Sequence, residues 1–125
     1  MNRTILLVDD DAMTRRMLQL YCARNEYDVV EAEDGQEALR IIDEKCPDLA
    51  IIDVQLPGIN GFATARKIRT KLNSRQLPIL FLTTRVDARA EIEGVESGAQ
   101  MYLNKPIRLA DLLAHIKELT TATPD

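Results

Sequence analysis

Short apolar segments alternate along the chain with longer stretches of helical periodicity. Ile5-Leu6-Leu7-Val8 runs into Asp9-Asp10-Asp11, and Asp28-Val29-Val30-Glu31-Ala32 follows as a second short strand. Leu49-Ala50-Ile51-Ile52 ends on Asp53, with Pro57-Gly58 just beyond. Pro78-Ile79-Leu80-Phe81-Leu82 ends on Thr83-Thr84, and Met101-Tyr102-Leu103 is followed by Asn104-Lys105-Pro106. Short apolar runs bounded by turn-forming residues read as strands buried on both faces. Between them, Met13, Met17, Leu20 and Tyr21 recur at helical spacing over residues 12 to about 24, with Arg15 and Arg16 outside. Asp34 with Glu37 forms the capping-box pattern of a second helix, whose apolar face is Ala38, Leu39 and Ile42. Phe62, Ala65, Ile68 and Leu72 define a third helix over residues 61–72. A weaker fourth helix covers residues 87–97, where Gly94 costs roughly 1 kcal/mol against Ala. Leu109, Leu112, Leu113 and Ile116 mark a fifth over residues 109–120.

Strand and helix thus alternate five times with short links. That alternation predicts one parallel sheet with helices on both faces and right-handed crossovers. The expected fold class is α/β: a flavodoxin-like, doubly wound, five-stranded sheet of order 2-1-3-4-5 in three layers. All carboxyl strand ends then share one edge. Ligands bind such sheets where the strand order reverses, here between the first and third strands. Asp9, Asp10 and Asp53 end those two strands, Thr83 ends the fourth, and Lys105 follows the fifth. Residues distant in sequence are therefore expected at one rim.

Composition narrows the classes. The chain has 125 residues, 46% hydrophobic and 29% charged, as expected of one soluble domain. A formal net charge of -4 argues against broad binding to nucleic acid or anionic membranes. No apolar run approaches the length needed to span a bilayer, and the N-terminus lacks a secretory h-region. Cys22 and Cys46, each in a helical pattern, read as reduced packed thiols of a cytoplasmic protein. With a single histidine, His115, a zinc site is not expected.

The rim carries its own chemistry. Three close carboxylates repel one another unless a cation or a raised pKa relieves them. An oxygen-rich, partly solvated site of this kind suits Mg²⁺, or Mn²⁺, which keeps several waters and shares phosphate oxygens. A carboxylate can also act as nucleophile and form an acyl phosphate. Positive charge from the metal and Lys105, with a hydroxyl from Thr83, would then suit phosphoryl transfer.

Asp9-Asp10, Asp53 with Leu56-Pro57-Gly58, Thr83, and Gly98-Ala99…Tyr102…Lys105-Pro106 together resemble the receiver domain of bacterial two-component response regulators. The resemblance covers residues 4–119 and implies a receiver domain over residues 1–120, with 121–125 as a tail or linker stub. It implies that Asp53 is the phosphoacceptor, taking a phosphoryl group from a sensor histidine kinase or histidine phosphotransfer protein. Asp10, Asp53 and the backbone carbonyl of Gln55 would bind Mg²⁺, and Asp9 would act through metal-bound water. Lys105 would pair with the phosphoryl group, Thr83 would move towards it, and Tyr102 would swing from exposed to buried. Gln55 and Arg85 occupy positions that tune autodephosphorylation in relatives. The face of the fourth helix, fifth strand and fifth helix would be the switched surface, meeting a partner, an output domain or a second copy. Lys105-Pro106 is usually cis in the family.

The chain departs from common family residues at Thr84, where many relatives carry Ala, at Ile107 after Lys-Pro, and at Asn60 before Gly61. Two competing functions are weighed. One is an aspartate-nucleophile phosphatase, which the Asp9-x-Asp11 spacing resembles, although Met13 stands where that motif wants Thr or Val. The other is a receiver-like interaction module that works without phosphorylation. The crowded acids with Lys105 favour the phosphoacceptor, a signalling domain rather than a classical enzyme.

Overall fold

The computed structural model describes residues 2–121; residues 122–125 of the expected tail and the side chain of Leu72 lie outside the described set. Five parallel strands form one sheet of order β2-β1-β3-β4-β5. They are β1 (Thr4–Val8), β2 (Asp28–Ala32), β3 (Leu49–Ile52), β4 (Ile79–Thr83) and β5 (Met101–Asn104). The helices are α1 (Ala12–Arg24), α2 (Gly35–Glu44), α3 (Gly61–Arg69), α4 (Ala88–Glu96) and α5 (Leu109–Thr121). The predicted doubly wound fold is the observed one.

Alternation along each central strand divides the core into two layers. Leu6, Val8, Ala50, Ile52, Ile79 and Phe81 face one side, against Ile42 of α2, Phe62 and Ile68 of α3 and Ala90 of α4. Ile5, Leu7, Leu49, Ile51, Leu80 and Leu82 face the other, against Leu18 and Cys22 of α1 and Leu112 and Ile116 of α5. Burial pushes the Cys22 thiol up to about 11. Cys46 lies in the connection after α2 rather than within a helix.

The apolar stripe read for α1 is rotated from the true inward face. Met13, Met17 and Leu20 are exposed, at 82%, 52% and 50%, and Leu18 and Cys22 do the packing. A helix on a sheet flank touches the core along a narrow line, and two residues suffice here. The third helix also ends earlier than expected. α3 stops at Arg69 and a short 3-10 turn, Leu72–Ser74, follows. Asp34 caps α2 as expected, accepting the Glu37 N–H at 2.8 Å. Glu37 returns its carboxylate to the Glu33 N–H at 2.9 Å, one residue before the usual capping-box position.

α4 runs unbroken through Gly94. A Cβ there would lie 2.9 Å from Cδ2 of Tyr102 and 3.5 Å from the Phe81 ring. Glycine at this position therefore buys close approach between α4 and β5, which outweighs its poor helix propensity.

Candidate functional site

The register sets the rim. Val8 pairs with Ile52, so Asp9 and Asp53 leave the sheet at the same level. Their N–H groups extend the backbone ladder, Asp9 to Ala32 at 3.1 Å and Asp53 to Val8 at 2.9 Å. Thr83 pairs with Asn104, and the Lys105 N–H donates to the Thr83 carbonyl at 2.8 Å. Lys105 is thereby aimed back across the sheet, just before the cis Lys105-Pro106 bond.

Its ammonium reaches both acids, donating to Asp9 Oδ2 at 2.6 Å and Asp53 Oδ2 at 3.1 Å. Asp9 and Asp53 are buried, at 6% and 8% exposure, whereas Asp10 is exposed. The other oxygens are held by the turns that follow each strand. The Asp11 N–H donates to Asp9 Oδ1 at 2.9 Å, and the Gln55 N–H donates to Asp53 Oδ1 at 3.0 Å. Burial pushes the Asp9 carboxyl above its ordinary value, against the opposing pull of Lys105 and the Asp11 N–H. Burial also works against the Lys105 charge, but the bonds to Asp9 and Asp53 outweigh it and hold the ammonium above its ordinary value.

One carboxylate oxygen each from Asp9, Asp10 and Asp53 lie within 4.8 Å of one another. Three hard anionic donors, open to solvent on the Asp10 side, fit a magnesium ion that retains water. Gly61 shapes the floor beneath them. A Cβ there would fall 2.4 Å from the Asp53 carbonyl oxygen, so only glycine lets α3 start this close.

The β4–β5 side forms a separate network. Thr83 is fully buried, and its Oγ1 accepts the Arg85 N–H at 3.2 Å. Tyr102 is half-buried; its hydroxyl donates to the Arg85 carbonyl at 2.7 Å, and its ring lies 6.0 Å from Phe81. The Arg85 guanidinium pairs with Asp87 at 3.0 Å and sits 5.9 Å from the Phe62 ring centre. Between the two sides, the Thr84 hydroxyl donates to Gln55 Oε1 at 3.0 Å. Asp11, the second acid of the phosphatase-like spacing, is exposed and accepts a short bond from the Thr14 hydroxyl.

The residues predicted for the rim thus lie together, Asp9, Asp10, Asp53 and Lys105 in direct association and Thr83 beside them on the neighbouring strand. Arg15 was missed. Read as outward-facing, it turns in to Glu31 at 3.1 Å and donates to the Asp9 carbonyl. No periodicity signal marks it, because the anchoring groups lie on β2 and in the turn after β1.

A doubly wound α/β domain with an acidic, lysine-bridged carboxyl rim is the class this fold and site define. The family model of the response regulator receiver domain matches residues 5–117, and the chain belongs to that family. The transcriptional regulatory protein AfsQ1 of Streptomyces coelicolor is 40% identical over 114 residues, 91% of this chain and 49% of that protein. The chain spans about half the length of the curated relatives it matches. The chemotaxis protein CheY4 of Vibrio cholerae superposes with a TM-score of 0.91 at 31% identity, covering 95% of this chain and 99% of that one. The receiver domain of the sensor histidine kinase PA1611 of Pseudomonas aeruginosa superposes with a TM-score of 0.90 at 26% identity, covering 98% of this chain and 100% of that one. That structure has a magnesium ion coordinated in its active-site cleft. Phosphorylation and Mg²⁺ are typical of the family, which serves two-component signalling. Among the described residues, no helix is long and apolar enough to cross a membrane.

Proposed function

We propose that the chain is a cytoplasmic phosphoacceptor in which Asp53 takes a phosphoryl group from a histidine kinase or phosphotransfer protein. The observation that carries the reading is the single ammonium of Lys105 bonded at once to Asp9 and Asp53, with Asp10 completing the cluster. Three carboxylates around one ammonium leave a net negative charge that a bound cation relieves.

An Asp53 carboxylate oxygen attacks phosphorus as the P–N bond of the donor's phosphohistidine breaks. The electron pair leaves on the imidazole nitrogen, which then takes up a proton. Asp10, Asp53 and the Gln55 carbonyl would hold Mg²⁺, with Asp9 acting through metal-bound water. Bound magnesium supplies charge neutralisation for the carboxylates and phosphoryl oxygens. Lys105 neutralises a further phosphoryl oxygen. Attack of water on the phosphorus later returns Asp53 and inorganic phosphate, at a rate tuned by Gln55 and Arg85.

The added charge, about −1.5 to −2, recruits Lys105 and the Thr83 hydroxyl. Moving Thr83 frees the Arg85 N–H and shifts the loop whose carbonyl holds Tyr102. The inward Tyr102 seen here is the position this movement would stabilise. Ile92 and Val95 of α4 are exposed, at 60% and 71%, as is Val86 in the loop before it, at 65%, and the α4–β5–α5 face is the surface we assign to an output domain, a partner or a second copy. The donor would approach along α1, where Met17, Leu82, Lys105, Pro106 and Ile107 line an apolar groove of about 230 Å³. We place the functional unit within residues 1–120, a span that the family match over residues 5–117 supports, and α5 continues one residue beyond it to Thr121.

Treatment with acetyl phosphate and Mg²⁺, read by intact-mass spectrometry, tests the reading. One phosphoryl adduct is expected, absent in Asp53→Asn. An adduct that persists in that variant, or none in the parent, overturns it.

A further inference from the structure

We propose that Arg15 is a positioning residue that fixes the Asp9–Asp10 peptide and thereby sets the affinity of the acidic cluster for a divalent cation. The inference rests on the reading of Asp9, Asp10 and Asp53 as the magnesium site.

Arg15 and Arg16 are neighbours on an exposed helix, yet they behave differently. Arg16 is exposed, whereas the Arg15 side chain is only 14% exposed. Folding an arginine inwards costs roughly 2 kcal/mol of side-chain freedom, which specific bonds must offset. Arg15 Nε donates to Glu31 Oε1 at 3.1 Å, and a terminal nitrogen donates to the backbone carbonyl of Asp9. Glu31 lies on β2, the strand that also accepts the Asp9 N–H, through Ala32, at 3.1 Å. Asp9 is thus held from both sides: its N–H by the strand, its carbonyl by a guanidinium anchored to the same strand.

That carbonyl belongs to the peptide joining Asp9 to Asp10. Asp9 and Asp53 are held by Lys105 and by turn N–H groups. Asp10 is the exposed member of the cluster. The orientation of this peptide sets the direction in which the Asp10 side chain leaves the backbone, and its rotation would carry the carboxylate away from Asp9 and Asp53. Arg15 resists that rotation and keeps Asp10 with its partners. The planar fork matters, because one ammonium cannot reproduce a guanidinium's two separately directed donors.

The sign of the effect separates this role from simple charge. Deleting a cation near the cluster would, by Coulomb attraction alone, make a divalent ion bind more tightly. Loss of positioning makes it bind more weakly. Groups that orient metal-binding side chains are typically worth about 10-fold or more in affinity.

Isothermal titration of the intact chain with Mg²⁺ tests this, comparing the parent with Arg15→Met, Arg15→Lys and Glu31→Gln. Thermal unfolding recorded alongside confirms that each variant is folded. We expect Arg15→Met to weaken Mg²⁺ binding roughly tenfold, Arg15→Lys to recover little of the loss, and Glu31→Gln to lie between. Arg15→Lys retains stem and charge, so it keeps the test decisive should Arg15→Met not fold. Unchanged or tighter binding in a folded Arg15 variant overturns the inference and leaves the magnesium reading intact. A parent chain that takes up no Mg²⁺ overturns both.

Discussion

On the β1–β3 side of the rim, Asp9, Asp53 and Lys105 are tied directly to one another and to the backbone turns that follow their strands. On the β4–β5 side, Thr83, Arg85, Tyr102 and Asn104 bond among themselves through the Arg85 peptide. The first side is buried, charged and cross-bonded. The second is neutral at its centre and rests on a loop between β4 and α4. On the proposed reading these are the two halves of a switch: charge is gathered where turn N–H groups and Lys105 hold it, and the responding element is the short loop whose Arg85 carbonyl Tyr102 and Asn104 share. Near the rim the Lys105 backbone bond to Thr83 and the exposed Thr84–Gln55 bond join the halves.

Removing the central cation breaks the comparison most severely. Lys105→Met leaves Asp9 and Asp53 facing each other with only their turn N–H bonds and no cation between them. We expect a loss of about 2 kcal/mol in metal-free urea unfolding, since an uncompensated part-buried charge is costly. Added Mg²⁺ should restore more stability to the variant than to the parent. The pH dependence follows from the raised pKa of Lys105. A folded pKa above the unfolded value, about 10.4, means that the stabilisation is fully present below that pH. It is lost as pH rises through the folded value. The parent–variant difference should therefore hold from pH 7 to 9 and shrink above about pH 10.4. A difference that instead grows with pH would contradict this assignment.

The strand ends were the legible part of both sides. Apolar runs that stop on Asp9 and Asp53 announce strand ends, and parallel topology brings strand ends to one edge whatever their separation in sequence. What the chain hid depends on packing between elements. Met13, Met17 and Leu20 make a sound helical stripe, yet the sheet touches α1 along Leu18 and Cys22. Arg15 carries no outward sign of its inward bonds, because its partners sit on other elements, β2 and the turn after β1. Gly94 read as a weakness of α4, whereas its missing Cβ is what admits the Tyr102 ring. Periodicity reports which faces are apolar; it does not report which neighbour requires room.

Gly94→Ala sharpens the comparison on the movable side. Alanine improves helix propensity by about 1 kcal/mol. Its methyl group meets Tyr102 Cδ2 at 2.9 Å, closer than such contacts tolerate. Overpacking of this kind costs about 1–3 kcal/mol, so the net change should be a loss of about 0–2 kcal/mol, centred on about 1 kcal/mol. The informative readout is Tyr102 itself. Its ring should turn outward and release the Arg85 carbonyl, seen as a shift of the Tyr102 ring resonances in an NMR spectrum. Mg²⁺ affinity should not change, because nothing on the β1–β3 side depends on that ring. A large change in metal affinity would show that the two halves are already joined before phosphorylation.

The smallest expected effect comes from Thr84→Ala, which removes the side-chain bond that bridges them. The bond is exposed, and its loss should lower stability by about 0.5 kcal/mol. Its consequence for function is more specific. Gln55 places its N–H on Asp53 Oδ1, while its side chain is tied to Thr84. Releasing that side chain should alter the lifetime of the phosphoryl group on Asp53, measured by loss of the mass adduct, while leaving the Mg²⁺ affinity within about twofold, a difference of roughly 0.4 kcal/mol. Thr84→Ser keeps the hydroxyl and should retain the parent lifetime. If Ser and Ala behave alike, the bridge has no part in the lifetime, and the two sides communicate only through the strand backbone at Thr83 and Lys105.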